Sequence, residues 1–264
     1  GMYRIPFMKQ FIDGTPANFT GMLLEDYSDN PGERGKATID LDKMASAIET
    51  ATENNVSVRL HSCGDRSCRE ALNAYENALK KFPETESRHM VEHLEVVDPA
   101  DIPRFGQLGV ICSIQPEHLA AGTMKWTENC YPEKLGPVRE KFTWPFKKLR
   151  DGGAVLAGGT DCPVVDGNLF WGMYVGNTRT YYDGMPEGGW NPQEDLPMED
   201  MIDMFTSGAA YAEHRENELG TLEAGRLADI TVSDRNLLKL AGDTAIRDTQ
   251  VLLTMVDGRI VYEK

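Results

Sequence analysis

Short apolar runs rich in β-branched residues alternate along this chain with segments whose apolar residues recur every three or four positions. The first pattern is that of strands and the second that of helices with one apolar stripe, and their regular alternation marks parallel strands joined by crossover helices. Residues 7–12 open as a strand, a Gly-, Pro- and Asn-rich loop occupies 14–36, and a helix over Leu41–Asn54 leads to a strand over Val56–His61. The next helix, Arg66–Phe82, places Ala71, Leu72, Tyr75, Ala78 and Leu79 on one face, and a strand over Arg88–Leu94 follows. Asp98 with Pro99 reads as an N-cap and first helical position, and that helix ends near Gly109. A strand over Val110–Gln115, a long loop rich in Gly, Pro and Trp, a helix over Trp144–Asp151 and a strand over Ala154–Ala157 complete a series of five strands alternating with four helices.

Beyond them the character changes. Residues 163–197 read as a long irregular insertion holding Trp171 and Trp190, and such loops in compact domains are functional or mobile. A helix over Met198–His214 carries Ile202, Phe205 and Ala209 on one side. In the tail, Leu227–Ser233 and Val251–Val256 read as strands, and Asp257-Gly258 is a two-residue turn into Arg259–Tyr262, an antiparallel hairpin. No internal repeat or low-complexity tract interrupts the order.

Composition narrows the partners. With 264 residues the chain accommodates one large domain, or a domain and an appendage, and an α/β barrel needs about 250. Its 27 Lys and Arg stand against 42 Asp and Glu, a net charge of -15, with no basic run longer than two residues. Nucleic acid and anionic membrane surfaces are therefore not partners, since like charges repel and no counterion-releasing patch exists. Five cysteines, Cys63, Cys68, Cys112, Cys130 and Cys162, lack the spacing of a disulfide framework in a chain with ample core, which implies a cytoplasmic protein. Gly1-Met2-Tyr3-Arg4 shows no charged region followed by an apolar one, Gly1 reads as the scar of tag removal, and no stretch approaches the ~20 apolar residues of a membrane span.

Polar residues able to bind a metal fall at or just past the C-terminal ends of successive strands: Lys9 within the first, His61 closing the second, His93 near the end of the third, Gln115 and His118 after the fourth, and Asp161 past the fifth. In a parallel α/β barrel all these ends open on one face, so residues distant in sequence converge there. Two imidazoles and a carboxylate suit zinc or another borderline divalent ion. His89 and His214 read as structural, Cys63, Cys68 and Cys162 as packing residues, and Glu92 and Asp65 as acceptors beside the candidate ligands.

These segments carry a resemblance. Met8-Lys-Gln-Phe-Ile-Asp-Gly14, His61-Ser-Cys-Gly-Asp65, Arg88-His-Met-Val-Glu-His93, Ser113-Ile-Gln-Pro-Glu-His118, Gly159-Thr-Asp-Cys-Pro-Val164 and the tail from Gly220 to Asp229 together resemble the amidohydrolase superfamily, and within it amidohydrolase family 3. The resemblance implies that Lys9 takes the place of a lysine that carries a carbamate and bridges two metals, that His61 and His93 are metal ligands, and that Asp161 is both ligand and the base that moves the proton of the attacking water. His118 takes the position of a partner to the developing oxyanion. One or two divalent ions, most simply zinc, and a small-molecule amide substrate follow.

The family pattern also contains a His-x-His on a first barrel strand and two further strand-helix units, and no His-x-His occurs here. The expected architecture is thus α/β: a partial (β/α) TIM-type barrel over residues 1–218, and a C-terminal antiparallel β-segment over 219–264 belonging to a small sandwich. Three explanations compete for the missing strands: a piece of a longer enzyme, a chain completed by a homo-oligomeric or other partner, or an inactive fragment or oligomeric scaffold keeping part of a metal site. Lyase or isomerase chemistry on the same ligands is a further alternative, because fold and ligands do not fix the reaction. The specificity loops, 119–140 and 163–197, contain no readable motif.

Overall fold

The computed structural model describes residues 6–120 and 125–264, so the expectations made at Gly1–Arg4 and at positions 121–124 of the first specificity loop lie outside the described residues. Two compact units make up the chain, Gly1–Ile114 with Glu128–Leu156, and Gln115–Thr127 with Ala157–Lys264.

The first unit is built on parallel strands β1 (Phe7–Phe11), β2 (Ser57–Ser62), β3 (Met90–His93) and β4 (Ile111–Ile114), and β5 (Leu156–Gly158) begins on its last residue; the strands lie in chain order. Register pairs Phe11 with His61, His61 with Glu92, and Ser62 with His93. Around the sheet run α1 (Leu41–Glu53), α2 (Asp65–Lys81), α3 (Ile102–Leu108), α4 (Tyr131–Arg139) and α5 (Phe146–Asp151). The side chain of Asp40 caps α1 by accepting from the backbone N–H groups of Asp42 and Lys43, each at 3.1 Å. The stripe foreseen on α2 is its buried face, and Tyr75 on that face donates its hydroxyl to the carbonyls of Val58 (3.1 Å) and Met90 (2.9 Å), tying the helix to two strands. Leu60, Met90, Val91, Ile111 and Ile114 are wholly buried.

Three expectations need correction here. The third strand ends at His93 rather than Leu94, because His93 and Leu94 take left-handed backbone angles, φ 75° and 55°, that no strand can continue through. The helix expected to open at Asp98 begins instead at Ile102: Asp98 holds a turn, accepting from Ala100 N–H at 2.9 Å, and Pro103 stands in the first turn in place of Pro99. The loop leading away from β4 is not structureless, since α4 forms within it, broken by Gly136 at φ 72°.

In the second unit, residues 163–197 also contain a helix, α6 (Leu169–Thr178), capped by Asn168, which accepts from Phe170 N–H at 3.1 Å. This helix is apolar on every side, so it shows no helical period. The single helix expected over Met198–His214 is split into α7 (Met198–Asp203), a π-helical turn over Met204–Gly208 and α8 (Ala209–Ala212). The foreseen hairpin forms as β7 (Val251–Val256) and β8 (Arg259–Glu263), with β6 (Ile230–Ser233) pairing antiparallel on β7. The protein is thus mixed α/β, with a parallel and a separate antiparallel sheet. Among the described residues no helix is long and apolar enough to cross a membrane.

Candidate metal centre

Parallel pairing sets the C-terminal ends of β1, β2 and β3 side by side, and the candidate residues of the first unit sit there. His61 lies beside Phe11 in the register and stacks on its ring at 4.5 Å. His93 pairs with Ser62, one residue past His61, so in a continuing strand its ring would face the other side of the sheet. The left-handed turn at His93 ends the strand, and the two imidazoles meet with ring centroids 4.4 Å apart and planes at 65°. Lys9 is ion-paired with Glu92, whose other oxygen receives Arg59 at 3.1 Å. The Lys9 ammonium also stands 5.0 Å over the Phe11 ring.

Nε2 of His61 faces a compact set of donors: the Gly14 carbonyl at 3.2 Å, Cys63 Sγ at 3.4 Å and Asp13 Oδ1 at 3.9 Å. Asp13 is buried and accepts four hydrogen bonds, from the backbone N–H groups of Met22 (2.8 Å), Cys63 (3.1 Å) and Gly64 (2.9 Å) and from the Ser67 hydroxyl (2.7 Å). Burial pushes its carboxyl up to about 6, against the downward pull of those four donors. Gly64 permits this close approach, because a Cβ there would lie 2.1 Å from the Met22 carbonyl oxygen. Behind Cys63, the buried Glu95 receives the Tyr131 hydroxyl at 2.5 Å, and burial raises its carboxyl to about 7. The ligand-capable atoms of Asp13, His61 and Cys63 all lie within 4.8 Å of one another. Imidazole nitrogen, sulfur and carboxylate oxygen at that spacing fit a borderline divalent ion.

In the second unit, His118 sits on a 3-10 turn over Pro116–Leu119 that follows β4, with Nε2 3.9 Å from Oδ2 of Asp161. Asp161 is held in the left-handed region at φ 60°, and its carbonyl accepts from Val164 N–H at 2.9 Å. Gln115, which precedes this turn, and Glu117 within it are buried; among the described residues Oε1 of Gln115 has no hydrogen-bond partner, and Glu117 receives the Tyr182 hydroxyl. Burial raises the Glu117 carboxyl above its ordinary range.

The structure therefore brings together Lys9, His61 and His93 in one unit, and His118 and Asp161 in the other. His89 is structural, as expected: it stacks on Tyr75 at 4.6 Å, its Nδ1 accepts from Val58 N–H at 3.2 Å, and its Nε2 meets the Thr52 hydroxyl at 3.0 Å. Asp65, expected as an acceptor beside the ligands, receives Leu24 N–H at 2.8 Å and Arg66 N–H at 2.9 Å. The sequence carries no signal for Asp13, because an Asp before a Gly reads as a turn. Its role rests on backbone donors that carry no sequence signature. Cys63 is buried like a packing residue, yet its sulfur is turned to His61.

A model of the amidohydrolase family matches residues 2–262. The protein LONG AFTER FAR-RED 3 of Arabidopsis thaliana is 30% identical over 261 residues, 97% of this chain and 42% of that protein. The putative amidohydrolase YtcJ of Bacillus subtilis is 31% identical over 264 residues, 97% of this chain and 47% of its own length. A crystal structure of an uncharacterized metal-dependent hydrolase from Pyrococcus furiosus is 27% identical and superimposes with a TM-score of 0.72, covering 87% of this chain and 44% of that one. The chain spans less than half the length of each of these relatives.

Proposed function

The chain belongs to the amidohydrolase family, and on that premise we propose that it carries the metal-binding and proton-transfer residues of a hydrolase acting on amide or other C–N bonds of a small molecule. The observation that carries the reading is the His61–His93 pair: two imidazoles 4.4 Å apart at the ends of adjacent parallel strands, where a lone structural histidine has no need of the other. In the first unit His61 and His93 are the proposed ligands, and Lys9, as a carbamate, the proposed anionic bridge. Carbamylation would exchange the Lys9 cation for an anion, leaving Glu92 to its remaining partner Arg59. In the second unit Asp161 is the proposed ligand and proton acceptor, and His118 the donor to the developing oxyanion. One or two divalent ions, with zinc favoured by the nitrogen-rich set, would supply Lewis acidity and lower the pKa of water. Asp161 would take the proton of that water and return it to the leaving nitrogen.

The same reading makes residues 1–218 part of a (β/α) barrel and 219–264 the C-terminal strand segment of a small sandwich, in a cytoplasmic protein. It also calls for a homo-oligomeric or second-chain partner that completes the barrel. The edge strand β1 supports this last point, with Met8 58% and Phe11 50% exposed. The same exposed edge favours the alternative, a non-catalytic module retaining part of a metal site.

The test is elemental analysis of protein purified without chelator, combined with assay of an amide panel, on wild type, Lys9→Met and His93→Asn. Bound transition metal and turnover that both fall in the two variants are the expected result. A folded wild type that turns over no amide, with a metal content that falls in neither variant, would leave only the non-catalytic alternative.

A further inference from the structure

We propose that Asp13, His61 and Cys63, completed by the carbonyl of Gly14, form a closed site for one zinc-like divalent cation, a site that shares only His61 with the hydrolytic ligand set. The two oxygens of Asp13 are used unequally. Among the described residues Oδ2 accepts three donors, Met22 N–H, Gly64 N–H and the Ser67 hydroxyl, whereas Oδ1 accepts only Cys63 N–H, at 3.1 Å. A carboxylate oxygen has two lone pairs, so Oδ1 keeps one for a further partner, and it is the oxygen 3.9 Å from His61 Nε2. Cys63 Sγ at 3.4 Å and the Gly14 oxygen at 3.2 Å surround the same nitrogen. A tetrahedral ion with bonds of roughly 2.0–2.3 Å to oxygen, nitrogen and sulfur holds its ligand atoms roughly 3.3–3.6 Å apart. The separations found here, 3.2, 3.4 and 3.9 Å, bracket that range.

The surroundings match a closed site rather than one that keeps a position open to substrate. Asp13 and Cys63 are each 1% exposed and His61 7%. One carboxylate and one thiolate cancel the two charges of the ion, so the buried site carries no net charge and no unpaired ion is left in a medium that cannot solvate it. The side chain of Asp13 is oriented from behind by three donors on two segments, Met22 on one and Gly64 with Ser67 at the start of α2 on the other, the kind of outer support that ligands of a tight site require. All four ligands belong to the first unit. The proposal does not rest on the hydrolytic reading, and it needs neither Lys9, His93 nor Asp161.

Cobalt(II) titration of the chain prepared free of metal tests it. The expected result is a thiolate-to-cobalt charge-transfer band in the near ultraviolet that saturates at one equivalent. The band is lost in Cys63→Ser, weakened by about tenfold in affinity in Asp13→Asn, and unchanged in Cys68→Ser, Lys9→Met and His93→Asn. In the wild type the same equivalent of cobalt shields Cys63 from alkylation, read by peptide mapping, so the proposal remains exposed even where Cys63→Ser does not fold. No band in folded wild type, a band that survives Cys63→Ser, or a Cys63 alkylated equally with and without cobalt would overturn it. Loss of amide turnover in His93→Asn with the band intact would separate the two readings.

Discussion

The central strands of the parallel sheet and the three strands of the antiparallel sheet are made of the same apolar residue types and put them in opposite surroundings. Leu60, Met90, Val91, Ile111 and Ile114 on β2, β3 and β4 are 0% exposed, while Ile260, Val261 and Tyr262 on β8 are 54%, 62% and 47% exposed. Strands covered on both faces have their side-chain directions imposed by packing, and strands with free faces do not. The comparison teaches where a site can be built. His61, His93 and Asp13 stand among side chains with no room to turn, and the β6–β8 sheet, equally apolar in composition, contains no such group.

The sharpest way to break that comparison is by truncation on each side. Leu60→Ala should cost about 2–5 kcal/mol in urea unfolding, from lost burial and the cavity left behind, while Ile260→Ala on β8 should cost less than about 1 kcal/mol. Equal losses would mean that the antiparallel sheet is covered in solution and that the contrast is false.

A second difference is electrostatic and acts through His89, whose burial holds the imidazole down at about 4 against 6.5 in the unfolded chain. The unfolded state binds the extra proton throughout that window. Stability is therefore full above pH 6.5 and is lost as pH falls toward 4, by about 3 kcal/mol at the low end. Asp13 at about 6 and Glu95 at about 7 bind protons more tightly in the folded state and act in the opposite direction across much of the same range. The contribution of His89 is therefore the difference between wild type and His89→Gln, followed by urea unfolding from pH 7 to pH 4. A difference that stays constant with pH would show that this imidazole is not held neutral by burial. The smallest expected effect is on the exposed side: Val261→Thr should lie within about 0.5 kcal/mol of wild type in the same unfolding assay.

How much of this was legible in the sequence depended on whether the signal was local. The β2, β3 and β4 runs, the stripe on α2 and the Asp257-Gly258 turn are written in neighbouring residues, and each forms close to where the pattern puts it. Helix α6 was hidden because it is apolar all round and so lacks a period, although Asn168 ahead of Leu169 and Phe170 was a readable start signal. His61 and His93 were identifiable as strand-end imidazoles. Their meeting was not, because it requires His93 to leave strand geometry, and no residue nearby announces that. Asp13 is out of reach for a related reason: four donors from two distant segments, Met22 and the Cys63–Ser67 turn, make it what it is, and only the fold brings them to it.

The backbone at His93 and Leu94 also bears on how this chain would respond to directed evolution. Two consecutive non-glycine residues at φ 75° and 55° each carry a steric penalty of about 1 kcal/mol that glycine does not. Selection for heat resistance alone would drift toward glycine at position 93 and discard an imidazole at every success. Selection for the site would pull the other way, so thermostability and ligand retention are antagonistic traits at a single codon.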